Sequence, residues 1–494
     1  MNWTWSHWKR KIRRTIIVLL VIIGGLAGTH YYLRWSAEWD LRRAWAEADQ
    51  LDPGWRYRDL EAKREAVNDA DNSALKVLTV RKSMAAAWPI PQRVYFGPGR
   101  FVFESTLEMD LEGEISRLSP EVQLSGEQIQ VLNDVMKYSA RLLPSARALA
   151  QFPQGRYPIE YPRNPRDQTP DSSEANYVAQ LLWADAMLAG QEKKTDQALT
   201  SSLAILNVAR SIGDEPVHKS QQRRLSMDRL AVRTLERVLA QGEAKSNDLQ
   251  SMQRLMEQEA SEPLLLHSLR GERASAAAFI NAIQSERMRY TLQFYHGRLA
   301  RQLPRSWAHY VDMVIVRRAQ PDYFRLLTAL VEIAKLPAEE WEARIEQLSP
   351  RADPLPLEFK SWFQSAAGSV GPFQINLALL RCTQAGLAAE RFRLAHGRWP
   401  DSLSALVPEF LGEVPTDPFD RQPLRFRRCV QGIMIYSVGP DGHDDGGILD
   451  RQHSASGSDV GFQLWDLSAR RQPWRPPGPT SADEDSEDAK STDP

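Results

Sequence analysis

Residues 15 to 33, TIIVLLVIIGGLAGTHYYL, form an apolar run without a charged side chain. At about 1.5 Å rise per residue, a helix of that length reaches nearly 30 Å, roughly the hydrocarbon thickness of a bilayer. The run can cross a membrane once, which divides the chain into a part before it and a part after it. Lys9, Arg10, Lys11, Arg13 and Arg14 precede it with no acidic residue among them, whereas beyond it Arg34, Arg42 and Arg43 are mixed with Glu38, Asp40 and Glu47. The positive-inside bias then predicts a cytoplasmic basic leader at 1–14, a transmembrane helix at 15–33 and an extracytoplasmic location for everything after about residue 36. Trp3, Trp5 and Trp8 on one flank, and Tyr31, Tyr32 and Trp35 on the other, suit amphipathic rings at two interfaces. A cleaved signal peptide shares these ingredients, including the small residues Gly24, Gly25, Ala27 and Gly28. The length of the run and the two tyrosines favour a retained anchor in the lipid bilayer.

The remainder is long enough for about three folding units, since the chain has 494 residues. Its 62 Lys plus Arg nearly balance 63 Asp plus Glu, so no global field draws nucleic acid and no nucleic-acid partner is expected. With 42% hydrophobic residues and 25% charged, the chain can bury a core, and wholesale disorder and a many-span membrane protein are both excluded. Cys382 and Cys429 are its only cysteines, too few for a disulfide framework, a four-cysteine zinc site or an iron–sulfur cluster. In an oxidising compartment these two could pair, but strand alternation places Cys429 on a polar face with Arg425 and Arg427.

Residues 36–118 form a helical and irregular connector region, with helical stretches near 36–50 and 71–86 separated by the turn-rich LDPGW at 51–55. Pro89, Pro91, Gly97, Pro98 and Gly99 mark 88–104 as irregular or extended. A helical domain is expected over 119–370. Ser125 and Gln128 form a capping box, followed by Ile129, Leu132, Val135, Met136 and Leu143 at helical spacing until Pro144. After a Pro-, Arg- and Tyr-rich loop, a helical hairpin is expected at 174–189, closed by Gly190, and 196–212, closed by Gly213. Further helices follow near 217–240, 247–259, 263–300, 321–335 and 338–348. No 34-residue repeat register is found, so an irregular helical array is predicted, either a concave binding surface or a plain bundle. His218, His267 and His296 fall in these helices and are expected to be hydrogen-bonded or solvent-facing, and Trp341 and Trp362 are expected to be packing residues and not binding platforms.

From 371 to 470 the pattern changes. A long amphipathic helix at about 373–396 precedes RWPDSLSALVP, in which a short helix near 401–407 starts at Asp401. In LRFRRCV, Leu424, Phe426 and Val430 alternate with Arg425, Arg427 and Cys429, and IMIYS at 433–437 follows a tight turn at Gln431-Gly432. The predicted unit is α+β, a long helix on a small antiparallel sheet.

The run AAERFRLAHGRWPDSLSALVP, then TDPFDRQPLRFRR, MIYSVGPDGHDDGG and SDVGFQLWD, resembles the globular domain of type II secretion major pseudopilins over about 95 residues, 371–466. LDPGWRYRDLEA and RSIGDEP resemble uncharacterised bacterial single-span membrane proteins with the same tail, which implies no activity. The pseudopilin loop holds calcium, and hard oxygen donors on a glycine-bent segment suit that ion. By resemblance, Asp441 is a side-chain ligand, Val438 a carbonyl ligand and Asp459 a ligand from the returning chain. Asp444, Asp445 and Asp450 compete for the remaining places, because 451–458 interrupts the family's spacing. The alternative is a polar turn whose aspartates cap loop amides, with His443 a surface residue. Pseudopilins also carry a Gly-Phe processing junction and a Glu inside the apolar helix. The span here has neither, so filament assembly by that route is not expected.

No P-loop, G-x-G-x-x-G, H-E-x-x-H, G-x-S-x-G or C-x-x-C occurs. From 473 onward Pro and acidic residues dominate, as in a solvated, disordered tail. The expectation is a mainly α protein: an anchored extracytoplasmic interaction scaffold of the bacterial inner membrane with protein partners and structural calcium. An envelope enzyme with a scattered site in the helical domain is the alternative, and a secretion or pilus-like assembly component a third.

Overall fold

The computed structural model describes residues 3–84, 94–97, 100–103, 107–159, 171–284, 305–449 and 459–475. The apolar run does not end as a separate element. It lies within one continuous helix, α1 (Trp3–Leu51), which is long and apolar enough to cross a membrane and which absorbs the expected helix at 36–50. Nothing between 33 and 36 breaks a helix, so the span continues into the body of the protein.

The far end of α1 is clamped. Leu41, Ala44 and Ala48 are buried with Trp55 against Ala277, Ile280 and Phe324. Beyond α1, Gly54 takes a positive φ of 75° and turns the chain, so that Trp55 meets Phe324 with ring centroids 5.0 Å apart. Asp52, only 5% exposed, accepts hydrogen bonds from Arg270 at 3.0 Å and from Arg273. Burial alone would raise the Asp52 carboxyl, but the two guanidinium groups more than offset this and hold it below the usual range. The LDPGW turn therefore also docks the stalk.

Short helices α2 (Tyr57–Lys63) and α3 (Ser73–Ser83) follow, then a hairpin of β1 (Val94–Gly97) and β2 (Arg100–Phe103) within the expected irregular stretch, and α4 (Leu107–Arg117). The capping box forms as expected at α5 (Gly126–Lys137), where Ser125 and Gln128 satisfy each other's backbone amides. The helix ends before Pro144, however. That proline sits in the first turn of the next helix, α6 (Leu143–Arg147), where its missing N–H costs nothing.

The hairpin comprises α7 (Ala175–Gln191) and α8 (Thr195–Arg210). Gly190 lies inside α7 and does not close it; Lys193 makes the turn at φ 62°, while Gly213 turns after α8 at φ 60°. Next come α9 (His218–Gln241), α10 (Ser246–Ser261), α11 (Leu264–Gln284), α12 (Arg305–Ala334), α13 (Trp341–Leu348) and α14 (Leu357–Gly368). Helix α12 starts well before the expected 321 and passes through Pro321, and α14 carries no expectation from the sequence. The expected helical continuation to 300, with His296, lies outside the described residues, as do 476–494 of the acidic tail.

The long C-terminal helix is α15 (Val370–His396), ended by Gly397 in the left-handed conformation. It packs against a three-stranded antiparallel sheet of β3 (Arg425–Cys429), β4 (Gly432–Ser437) and β5 (Val460–Trp465), ordered β3-β4-β5. Gly386 lets the ring of Phe462 lie directly on α15, since a Cβ there would stand 2.6 Å from it. The short helix expected at 401–407 is a single 3₁₀ turn, Leu403–Leu406, and the Asp401 side chain pairs with Arg398. Val430 does not join the apolar face. It sits in the turn, fully exposed, because the strand ends at Cys429. Cys382 is buried, Cys429 is half-buried, and both are free thiols.

One core joins α3, α5 and α7–α10 to α15 and the sheet, and a second lies among α11–α14. At Gly432 φ is 151° and a Cβ would stand 1.9 Å from the Leu464 carbonyl oxygen. Gly432→Ala is therefore expected to destabilise the sheet by about 2 kcal/mol or more, read as a lower melting temperature.

Candidate metal centre

The loop after β4 is built from beneath by a residue that did not stand out in the sequence. Asp417, completely buried, accepts hydrogen bonds from Phe419 N at 3.0 Å, Ser437 Oγ at 2.8 Å and Val438 N at 2.9 Å, and pairs with Arg425 Nη1 at 2.6 Å. One carboxylate thus fixes both the TDPF turn and the start of the VGPDGHDDGG loop. Glycines then bend the loop, with positive φ at Gly439, Gly442, Gly446 and Gly447.

The candidate ligands divide into three groups. Val438 is buried, and its amide is committed to Asp417. Asp441, Asp444 and Asp445 are exposed on the loop. Asp441 Oδ1 accepts from His443 N at 3.0 Å, and Asp444 Oδ1 accepts from Gly446 N at 2.9 Å and from the Tyr436 hydroxyl at 3.1 Å. These are the capped amides of the alternative expectation. Asp459 is 1% exposed and enters beside the loop through a bridge to Leu449; its Oδ2 accepts from Gly447 N at 2.6 Å, while its Oδ1 is buried with no hydrogen-bond partner. Burial pushes the Asp459 carboxyl up, and the charges of Asp444 and Asp445 push it further. Asp450 lies outside the described residues. Among the described residues, no three of His, Cys, Asp and Glu stand together closely enough to hold one ion. The buried Asp459 oxygen without a partner is the one feature of this loop, among the described residues, that capped amides leave unexplained, and it is the observation on which a cation there would rest.

In the helical part, the buried charges form a centre that the sequence pattern did not single out. Glu259, 1% exposed, receives Arg224 at 2.7 Å and Arg210 at 2.8 Å. Asp228 is fully buried nearby and touches Asn376 at 3.1 Å. Burial, with the neighbouring Glu259 charge, raises Asp228 well above the usual carboxylate range, whereas the two arginines overcome the burial of Glu259 and hold it below that range.

Glu215 is also fully buried, accepts from Ser220 Oγ at 2.5 Å, and is raised by burial to about 7. Its folded form takes up a proton below pH 7, whereas the unfolded chain does so only near 4.5. Its contribution to stability is therefore greatest in acid and is lost as pH rises through 7. Glu215→Gln is expected to gain on the parent by up to about 3 kcal/mol between pH 4.5 and 8, from about 1.4 kcal/mol per tenfold change in proton affinity. Melting curves across that range check it; parallel curves would contradict the assignment.

His267 and His218 are both pushed down to about 4 by burial and are neutral at pH 7. His218 Nδ1 lies 2.6 Å from Ser268 Oγ, but Ser268 is completely buried, so the hydroxyl orients the ring and is not presented as a nucleophile. Trp341 packs with its indole N–H on the Leu336 carbonyl, and Trp362 belongs to an aromatic cluster, as expected of packing residues. The chain matches no family model, and no curated protein or solved structure matches it.

Proposed function

We propose that this protein is a single-span interaction scaffold of the bacterial cell envelope, with its N-terminus cytoplasmic, its bulk outside the inner membrane, and a pseudopilin-like terminal module stabilised by calcium. The observation that carries the proposal is α1: one helix supplies an apolar span flanked by a basic leader and then locks into the body through Asp52, Trp55 and Phe324. A body fixed to its membrane anchor without a flexible linker suits holding protein partners at a set distance from the bilayer. The near-neutral charge supports proteins and not nucleic acid as those partners.

Calcium would be held by Asp459 with loop carboxylates drawn from Asp441, Asp444, Asp445 and Asp450, and by the Val438 carbonyl. The ion would supply charge compensation for acids that otherwise repel one another. Calorimetry and thermal melting of the full chain in lipid nanodiscs, with and without chelator, test this part. Micromolar binding, a chelator-sensitive melt, and loss of both in Asp459→Asn and Asp441→Ala are expected. No binding heat and no change in melting would reduce the loop to a turn whose aspartates cap amides.

A second reading, an envelope enzyme, is favoured by one observation: His218, Lys219 and Glu272 converge on a cavity of about 420 Å³ between helices.

A further inference from the structure

That cavity lies between the start of α9 and helices α11, α12 and α14. Its shape follows from Gly271. A Cβ there would stand 2.2 Å from the Pro216 carbonyl oxygen, so only glycine lets the chain entering α9 lie this close to α11. The close approach delivers His218 and Lys219 to the space that Glu272 and Phe279 line from α11. Glu272 and Phe279 are seven residues apart, two turns along one helix face.

The wall around Phe279 is aromatic. Trp362 meets Phe279 edge-on at 5.2 Å and lies 6.2 Å from Tyr323, which is stacked at 4.7 Å on Phe359 behind it. The Glu272 carboxylate has no hydrogen bond or ion pair among the described residues, and Lys219, exposed at the rim, acts on it only at a distance. His218 is neutral at pH 7 and turned onto Ser268, so it supplies no compensating charge. The cavity thus combines one unpaired, largely desolvated carboxyl group, raised by its burial, with the faces and edges of several rings. Its volume falls within the usual range for small-molecule sites.

We propose that this cavity binds a small organic ammonium ion, with its charged head beside Glu272 and its apolar body against Phe279, Tyr323 and Trp362. Charge pairing and cation–π attraction both act on such a head, and both strengthen where water is excluded. An anion would meet only Lys219 and would be repelled by Glu272. A neutral analogue would gain the ring contacts and leave the carboxylate unpaired.

The test uses the full chain in lipid nanodiscs, with empty nanodiscs as the blank, and calorimetric titration of 2-phenylethylammonium, 2-phenylethanol and 3-phenylpropionate. The ammonium is expected to bind saturably, and each of the other two about tenfold or more weakly. Glu272→Gln is expected to abolish that preference while leaving the melting temperature of the free protein unchanged or higher, since it removes a desolvated carboxylate. Trp362→Leu is expected to weaken the ammonium without removing its preference over the alcohol. Absence of saturable ammonium binding, equal binding of the alcohol, or unchanged binding in Glu272→Gln would each overturn the proposal.

Discussion

Glu259→Gln is expected to destabilise the protein by about 3–5 kcal/mol, the usual cost of removing one partner from a buried ion pair. The reason is what remains behind. Arg224 is 2% exposed and Arg210 is 7% exposed, and both direct their guanidinium groups at the Glu259 carboxylate. An amide offers one acceptor oxygen where the carboxylate offers two charged ones, so two cations would be left desolvated and poorly paired. The contrast is Asp228→Asn in the same cluster. Because burial and the Glu259 charge disfavour the ionised form of Asp228, and no cation among the described residues pairs with it as Arg224 and Arg210 pair with Glu259, its replacement by a neutral amide of the same shape is expected to cost clearly less than Glu259→Gln. Thermal melts of the two variants beside the parent check the pair. Equal losses would mean that the assignment of charge within the cluster is wrong.

Asp417→Ala is the second large effect, expected to cost about 3–5 kcal/mol and to abolish any response of the melt to calcium. The substitution leaves the amides of Phe419 and Val438, the Ser437 hydroxyl and the Arg425 guanidinium without their shared acceptor. Arg425 retains Asp420, so part of the charge stays compensated, whereas the buried amide of Val438 has no substitute. Asp417→Asn is expected to fall between parent and alanine, because its NH₂ group must face donors that need an acceptor. An Asp417→Ala protein that melts like the parent would show that the loop is held by its glycines and not from below.

What was legible in the sequence had local causes. The capping box at Ser125 and Gln128, Gly397 ending α15, and the apolar run inside α1 each depend on residues within one or two turns. What was hidden depends on partners far away along the chain. LDPGW announces a turn, but nothing near it says that Asp52 meets Arg270 and Arg273, more than two hundred residues later. Proline was misjudged for a related reason: Pro144 reads as a stop, yet it begins a helix, and Pro321 lies within one, because position in the turn and not residue type decides the cost. At the loop, clustered acids and glycines drew attention to Asp441, Asp444 and Asp445, while Asp417 was not singled out. The signal for it was present, since TDPF was among the motifs that carried the resemblance. Glu259 and Glu272 carried no such signal: a glutamate in an amphipathic helix is normally solvated, and only packing shows that one is paired and the other is not.

The most direct test of the central claim, an anchored body outside the cytoplasm, is labelling of Val430→Cys in a Cys429→Ser background. Val430 is fully exposed at the β3–β4 turn, so its thiol reports the compartment and not local packing. In intact spheroplasts of a bacterial host, a membrane-impermeant maleimide is predicted to label this cysteine while sparing one introduced at Ser6 in the leader, with the protein staying in the membrane fraction. Labelling of Ser6→Cys but not Val430→Cys, or release of the labelled protein from the membrane, would contradict the account.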